Sequence, residues 1–247
     1  MTDIIDIWDK VTDVYWWNKM ATKPLVVNQG GTYSGKTIAI LQVLIDKGIE
    51  EPGSRITITT QDFPKLYDDP LKEFKALIAQ EKIKHFFVDI DLNRGVYKMH
   101  NGSSYTFRCF DSVGKATGSK RDYLYVSEAW GTPYEIFFEL WMRTEKQVFI
   151  DYNPSKEFWS HQELMHREDC QTFITTFMDN KFCTDKKRNE ILGYYQKYLE
   201  TKSEFWKNKW MVYGQGKTGI VSGVVFPSVR RINQFPHEYY LISNKDG

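Results

Sequence analysis

The eight residues Gly30-Gly31-Thr32-Tyr33-Ser34-Gly35-Lys36-Thr37 decide the fold that we predict for this chain. They follow the pattern G-x-x-x-x-G-K-T, which is typical of a loop that holds phosphate groups. The apolar run Leu25-Val26-Val27 before them suits a buried strand, and apolar residues recur at helical spacing from Ile38 to Ile45 after them. We therefore predict a strand, a phosphate-binding loop and a helix, in this order.

Each kind of residue in this loop has its own predicted role. The glycines allow backbone N–H groups to point at phosphate oxygens, and the start of the helix adds a positive dipole. Lys36 is predicted to reach the β- and γ-phosphates, and the Thr37 hydroxyl to bind Mg²⁺. A chance turn rich in glycine and serine does not account for the flanking strand and helix. The sequence thus predicts binding of a nucleoside triphosphate, with ATP and Mg²⁺ as ligands.

Composition limits the remaining possibilities. The 247 residues, 41% of them hydrophobic, suit one large α/β domain or one domain plus a fragment. The 33 basic and 32 acidic residues nearly balance, so we expect any contact with nucleic acid to be local. The three cysteines have no metal-binding spacing and are predicted to be free thiols. We find no signal peptide and no apolar run of about 18 residues, so we expect a cytoplasmic protein that makes no membrane contact.

The order of the other elements predicts a P-loop NTPase of the RecA-like (ASCE) type. Its mostly parallel α/β sheet lies between helices and carries a β-hairpin insertion, because Asn101-Gly102 separates two alternating runs. The predicted helix that covers Leu66 to Ile78 is bent near Pro70. The other predicted helices cover 3–21, 157–167, 186–199 and 203–210, and the other predicted strands cover 55–60, 123–126, 147–150 and 171–177.

The end of the strand at 123–126 is the candidate catalytic position. The carboxyl ends of parallel strands face the nucleotide crevice, and a carboxylate there can orient the water that attacks the γ-phosphate. We assign this role to Glu128. Ser127 stands where such strands usually carry a metal-side acid, and we expect its hydroxyl to be a weaker metal ligand. The alternative for Glu128 is a charge that precedes a helix near Pro133.

Two further contacts with the nucleotide are predicted, each with a structural alternative. Tyr15-Trp16-Trp17 or Gln29 could contact a purine base, but packing on the sheet is the favoured role of the rings. Asn153 follows the strand at 147–150 and can sense the γ-phosphate, although Asn153-Pro154 is also a common turn.

Five stretches together resemble the large terminase subunit of tailed bacteriophages, the motor that packages DNA into a procapsid. They are the loop at 30–37, Val126-Ser127-Glu128-Ala129, Asn153-Pro154, the stretch from Thr176 to Asn180, and Tyr213-Gly214 followed by the residues 223–227. The resemblance covers residues 20–230. It implies an ATPase domain at 1–212, and at 213–247 a linker with the first part of a ribonuclease-H-like nuclease domain. The full-length protein would then also be an endonuclease.

The resemblance also implies partners and roles. The partners are double-stranded DNA, the portal protein and the small terminase subunit. The chain would form a homo-oligomeric ring at the procapsid portal in the host cytoplasm, and a monomer in isolation. Lys36 and Thr37 would bind phosphate and Mg²⁺, Glu128 would be the catalytic carboxylate, and Asn153 would couple hydrolysis to movement.

Two departures from the family pattern matter. Thr32 and Tyr33 stand where the family often has an arginine, and Ser127 replaces the acid before the catalytic glutamate. For an arginine finger supplied to a neighbouring subunit, we predict Arg121, with Arg108, Arg143 and Lys120 as alternatives. Two other functions stay open at this point. One is a helicase-like RecA-type ATPase, and the other is a nucleotide-gated binding module that does not hydrolyse ATP.

Overall fold

One mixed sheet organises residues 7–91, 95–118 and 120–220, the part of the chain that this computed structural model describes. Its strands are β1 (Leu25–Gly30), β2 (Arg55–Thr59), β3 (Phe87–Asp91), β4 (Val96–Met99), β5 (Ser104–Phe107), β6 (Arg121–Val126), β7 (Thr144–Tyr152) and β8 (Cys170–Thr175). The helices are α1 (Asp13–Lys19), α2 (Lys36–Glu50), α3 (Phe63–Leu66), α4 (Lys72–Ile78), α5 (Glu81–Lys84), α6 (Val113–Ala116), α7 (Tyr134–Met142), α8 (Asp185–Thr201) and α9 (Glu204–Lys209).

The strand order is β3-β4-β5-β2-β6-β7-β1-β8. From β5 to β8 every neighbouring pair is parallel, whereas β4 pairs antiparallel with both β3 and β5. This arrangement confirms the predicted mostly parallel α/β sheet with a hairpin insertion. Because the six parallel strands point the same way, the ends of β1, β6 and β7 form one edge, where a crevice for a ligand is expected.

Two apolar layers cover the faces of this sheet. On one face, α1, α2 and α4 bury residues such as Val14, Leu41 and Phe74. On the other face, α7 buries Phe137 and Leu140 against β6 and β7. No helix within the described ranges is long and apolar enough to cross a membrane.

Two predicted helices differ from the structure, and one strand was not predicted. The helix predicted at 3–21 spans only Asp13–Lys19, because the Thr12 side chain caps its start by accepting a bond from the N–H of Tyr15 (3.3 Å). Residues 1–6 of that prediction lie outside the described residues. The helix predicted at 157–167 is a single π-helical turn, Ser160–Leu164. The strand β3 was not predicted.

Other expectations are confirmed. The bend at Pro70 is a π-helical turn, Tyr67–Leu71, which joins α3 to α4 where the proline lacks an N–H. The three cysteines are free.

The first residues of the predicted linker fold back onto the strand β1. The carbonyl oxygen of Gly216 accepts a bond from Gln29 Nε2 (2.8 Å), and the N–H of Gly219 donates to the carbonyl oxygen of Pro154 (2.8 Å). The part of the linker at 213–220 therefore packs against the phosphate loop and the Asn-Pro segment. Residues 221–247 lie outside the described residues.

Candidate nucleotide site

The loop at 30–37 has the form that the sequence pattern predicts. It leaves β1 at Gly30, and α2 begins at Lys36. Gly35 has a φ of 84°, a left-handed conformation that favours glycine. A side chain on Gly31 would collide with the backbone of Tyr213. The structure thus explains these two glycines, and the backbone around them is free to approach a ligand closely.

Two other residues of the loop are fixed by bonds from β8 and the turn after it. The carbonyl oxygen of Tyr33, whose φ is 64°, accepts a bond from Asn180 Nδ2 (2.9 Å). The hydroxyl of Ser34 bonds to Thr175 Oγ1 (3.1 Å). Thr32 precedes them in the loop and is half-buried. These contacts hold the loop against β8 and the turn after it.

The ammonium group of Lys36 is buried and lies among four oxygen atoms. They are the carbonyl oxygens of Gly30 (3.1 Å) and Gly31 (3.0 Å), Ser34 Oγ (3.3 Å) and Asn153 Oδ1 (3.2 Å). The structure therefore brings together Lys36 and Asn153, which are far apart in the sequence and which the sequence placed at the same nucleotide.

Two opposing influences act on the pKa of Lys36. Burial lowers the pKa of its ammonium group, and the carboxylates of Asp151 and Glu128 oppose this shift. A buried lysine in the field of two carboxylates can donate hydrogen bonds to phosphate oxygens when a nucleotide binds.

Glu128 follows β6 in a strained conformation. Its φ of 51° and ψ of 50° are left-handed, which is uncommon for a residue other than glycine. Its Oε2 accepts a bond from Trp130 Nε1 (2.6 Å). Burial, followed by the charge of Asp151, raises the pKa of this carboxyl. A raised pKa suits a group that takes a proton from water.

A cavity of about 280 Å³ opens beside Glu128. Its lining includes Thr60, Lys65, Asp69 and Trp130. Lys65 Nζ lies 4.4 Å from the centre of the Trp130 ring, so the ring that orients Glu128 is itself held by a cation. There is room for a water molecule next to the predicted catalytic carboxylate.

The two predicted metal ligands, Thr37 and Ser127, both lie near Asp151. Thr37 Oγ1 is 3.4 Å from Asp151 Oδ2, and burial raises the pKa of the Asp151 carboxyl. Ser127 is fully buried, yet its Oγ has no partner with hydrogen-bond geometry. These oxygen atoms are of the kind that Mg²⁺ prefers.

Two acidic residues of the site were missed by the sequence reasoning. Asp151 follows the apolar run Val148-Phe149-Ile150, and this strand-end position was the signal that could have revealed it. Asp69 lies in the π-helical turn, which no sequence pattern placed near the loop. Burial, then the charges of Asp151 and Glu128, raises its pKa to about 7.

Three sets of predicted residues lie elsewhere. Tyr15 is buried and donates to Asp46, and Trp16 and Trp17 pack against the same apolar layer. The rings therefore follow the structural alternative. Gln29 is also buried, and its Oε1 accepts from Tyr152 (3.1 Å), which leaves it facing the folded-back linker.

Arg121 is the first residue of β6, at the opposite edge of the sheet from the phosphate loop. It is 3% exposed and its Nη1 donates to the carbonyl oxygen of Leu140 (2.7 Å). An arginine that completes a neighbour's site has to be exposed, so this placement does not support Arg121 as a finger. Of the alternatives, Arg143 pairs with Glu139 (2.6 Å) and Lys120 with Glu145 (3.7 Å) at that same far edge. Arg108 is exposed just after β5, at the edge of the crevice.

Comparisons with known proteins were made on sequence and on structure. Neither models of protein families nor curated proteins match the sequence. Among solved structures, the large terminase of the thermophilic bacteriophage D6E, in complex with ADP, has a TM-score of 0.62 and 14% identity. That match covers 86% of this chain and 51% of that one. The ATPase domain of the Thermus phage P74-26 large terminase has a TM-score of 0.62 and 14% identity, over 88% and 98%.

A packaging motor is also similar. The bacteriophage phi-29 viral genome packaging motor assembly has a TM-score of 0.51 and 12% identity, over 76% of this chain and 63% of that one. The chain spans about half the length of the D6E terminase and nearly all of the P74-26 ATPase domain. The described part of the chain thus has the fold of the ATPase domain of phage large terminases.

Proposed function

We propose that this chain is the ATP-hydrolysing motor domain of a phage terminase large subunit, which drives double-stranded DNA into a procapsid. The observation that carries the proposal is the convergence of Lys36, Asn153 and Glu128 at one edge of a sheet whose fold large-terminase ATPase domains share. The D6E terminase has been solved with ADP and with ATP-γ-S, which supports a nucleotide as the ligand here.

Each residue of the site has its own role in hydrolysis. Lys36 exchanges its present oxygen partners for the β- and γ-phosphate oxygens and offsets the charge that develops there. Glu128 orients a water molecule in line with the γ-phosphate and accepts its proton. Thr37 and Ser127 would hold Mg²⁺, which supplies charge neutralisation of the phosphates. The buried and unpartnered hydroxyl of Ser127 fits such an ion.

Asn153 connects the nucleotide with the end of the domain. When Lys36 turns to the phosphates, Asn153 loses its bond from the ammonium group and is free to sense the γ-phosphate. The next residue, Pro154, accepts the bond from Gly219 in the folded-back linker. Hydrolysis can thereby reach the residues that follow 220, where we propose a ribonuclease-H-like endonuclease domain after an ATPase domain that ends near 212.

The remaining parts of the proposal concern assembly. We propose that copies of the chain form a ring on the portal in the host cytoplasm, with the small terminase subunit and double-stranded DNA as partners, and that an isolated chain is a monomer. The phi-29 packaging motor among the structural neighbours favours packaging over the helicase-like alternative. Arg108, exposed at the crevice edge, is then the basic residue best placed to reach a neighbouring copy.

Two substitutions test the ATPase. Lys36→Ala should abolish binding of a fluorescent ATP analogue. Glu128→Gln should bind the analogue as the wild type does. Its rate of phosphate release should fall by about 100-fold or more, because the proton acceptor is lost. The matched control is Glu135→Gln, an exposed carboxylate on α7 that should leave both properties unchanged.

Phosphate release is measured against protein concentration, with and without double-stranded DNA. A rate per chain that rises with concentration supports a site completed by a neighbour. Turnover by Glu128→Gln at the wild-type rate would refute the catalytic assignment. ATP-driven strand separation without packaging would favour the helicase-like alternative.

A further inference from the structure

The position that usually supplies the metal-side acid holds a neutral group here. Ser127 follows β6 directly, and its side chain is fully buried with no hydrogen-bond partner for Oγ. Tyr125, two residues earlier on β6, is likewise fully buried, and its hydroxyl has no partner. Two orphaned hydroxyls so close to a phosphate loop need an explanation, because an unpaired buried polar group is costly.

A carboxylate stands beside them on the neighbouring strand. β7 lies between β6 and β1, and the register places Ile150 opposite Val126, so that Asp151 is level with Ser127. Asp151 is 2% exposed. Burial raises the pKa of its carboxyl, and the charge of Lys36 is the main opposing influence. Neither the Tyr125 nor the Ser127 hydroxyl meets Asp151 with hydrogen-bond geometry.

The two oxygens of Asp151 join the two functional halves of the site. Oδ2 faces Thr37 Oγ1 at 3.4 Å, the first hydroxyl of α2, and Oδ1 accepts the backbone N–H of Glu128 at 3.1 Å. A 3.4 Å contact is long for bonds between oxygens, so the carboxylate is poorly satisfied by the protein. A buried carboxylate with so few hydrogen bonds is costly, and the charge of Lys36 offsets part of that cost. When Lys36 turns to the phosphates of a nucleotide, a further cation beside Asp151 would take over this role.

The chemistry of the donors identifies that cation. Asp151, Thr37 and Ser127 offer only oxygen atoms, which suits Mg²⁺. Within the described ranges, no group of three or more His, Cys, Asp or Glu residues is arranged to hold a metal ion. Mg²⁺ sites of nucleotide enzymes have this form, because one or two carboxylates share the ion with phosphate oxygens and water.

We propose that Asp151 is the metal-side carboxylate of this chain, supplied by β7 in place of the acid that Ser127 replaces on β6. The proposal rests on the proposed nucleotide site and adds a residue to it. Asp151 thus compensates for the departure from the family pattern at position 127, and Ser127 keeps only a neutral oxygen beside it.

The test measures nucleotide affinity with Mg²⁺ and with EDTA, without any need for turnover. In the wild type, Mg²⁺ should tighten the binding of a fluorescent ATP analogue. In Asp151→Asn this gain should fall about 10- to 100-fold, a loss typical of impaired metal sites, while the affinity in EDTA stays that of the wild type. Glu135→Gln is the control, an exposed carboxylate on α7 that should keep the full gain.

The outcomes separate this inference from the proposed function. If the wild type binds no nucleotide in either buffer, the nucleotide site itself fails. If the wild type binds and Asp151→Asn keeps the full gain from Mg²⁺, the role of Asp151 is refuted.

A second variant covers the case in which Asp151→Asn does not fold. The exchange Ser127→Asp with Asp151→Ser moves the carboxylate back to β6 and should restore a gain from Mg²⁺. An exchange variant that fails to fold, or that folds without this gain, gives Asp151 a structural role and overturns the proposal.

Discussion

The two ends of α2 hold buried carboxylates in opposite ways. Near its carboxyl end, Asp46 is fully buried and accepts from Trp8 Nε1 (2.8 Å) and Tyr15 Oη (2.6 Å), and it pairs with Lys19 Nζ (3.2 Å). Near its amino end, Asp151 has one backbone N–H at 3.1 Å and a long contact with a hydroxyl. The first carboxylate has three close side-chain partners, whereas the second has one backbone N–H, a long hydroxyl contact and the field of the Lys36 ammonium group.

This difference separates stability from function along a single helix. The bonds to Asp46 fix α1 on α2, and they are complete without any ligand. At the phosphate loop, a strained residue, two orphaned hydroxyls and an underpaired carboxylate lie together. Such features reduce stability and persist where a ligand completes them. We therefore expect substitutions at the two ends to act on different properties.

The largest effect on stability is expected for Asp46→Ala. It leaves two buried donors without an acceptor and removes one of the two carboxylates that pair with Lys19, so the free energy of unfolding should fall by about 3–5 kcal/mol. Urea unfolding followed by tryptophan fluorescence measures this loss. Asp151→Asn should change the same quantity by about 1 kcal/mol or less. Equal losses from the two variants would contradict the contrast between the ends.

A smaller effect is expected from a matched pair of tyrosines. Tyr15→Phe removes the hydroxyl that donates to Asp46 and should cost about 2 kcal/mol, as a bond to a charged group does. Tyr125→Phe removes an equally buried hydroxyl that has no partner, and should change the free energy of unfolding by about 0.5 kcal/mol or less. The same urea titration distinguishes them. A cost for Tyr125→Phe as large as that for Tyr15→Phe would show that its hydroxyl is bonded after all.

The sequence predicted the amino end of α2 better than its surroundings. The pattern at 30–37 has a fixed spacing, so the loop, Lys36 and the start of the helix were found from local residues alone. The end of β6 was also visible, because apolar residues precede Glu128. Asp151 escaped notice since its role depends on the register of β7 between β6 and β1, which is a long-range property.

Other errors have similar causes. The aromatic residues at 15–17 were candidates for a base contact, but their environment is set by the packing of α1 on α2, with Asp46 as a partner that no local pattern reveals. Arg121 was chosen by its distance along the chain from Glu128. Arg121 begins the six-residue strand β6, whereas Glu128 follows its end. The length of the strand, about 17 Å or more, therefore places Arg121 at the opposite edge of the sheet.

The smallest expected effect is a dependence of stability on pH at the functional end. The pKa of Asp69 is about 7 in the folded protein, raised from 3.8, so the folded state holds a proton that the unfolded state releases between these values. Its contribution to stability is complete below about pH 4 and is lost as the pH rises through 7. Asp69→Asn should remove this loss. The fall in unfolding free energy from about pH 5 to about pH 8 should shrink by on the order of 1 kcal/mol, after allowance for solvent screening.

The neighbouring Asp68 provides the control for this titration. It is exposed in the same π-helical turn, and Asp68→Asn should leave the pH profile as it is in the wild type. Since the charges of Asp151 and Glu128 contribute to the raised pKa of Asp69, Asp151→Asn should move the midpoint of the profile to lower pH. A midpoint that is the same in Asp151→Asn and in the wild type would show that the charge of Asp151 does not influence the titration of Asp69. The carboxylates near the amino end of α2 would then titrate independently of one another. The two ends of the helix would differ in the hydrogen bonds of their carboxylates, and not in the electrostatic interactions between them.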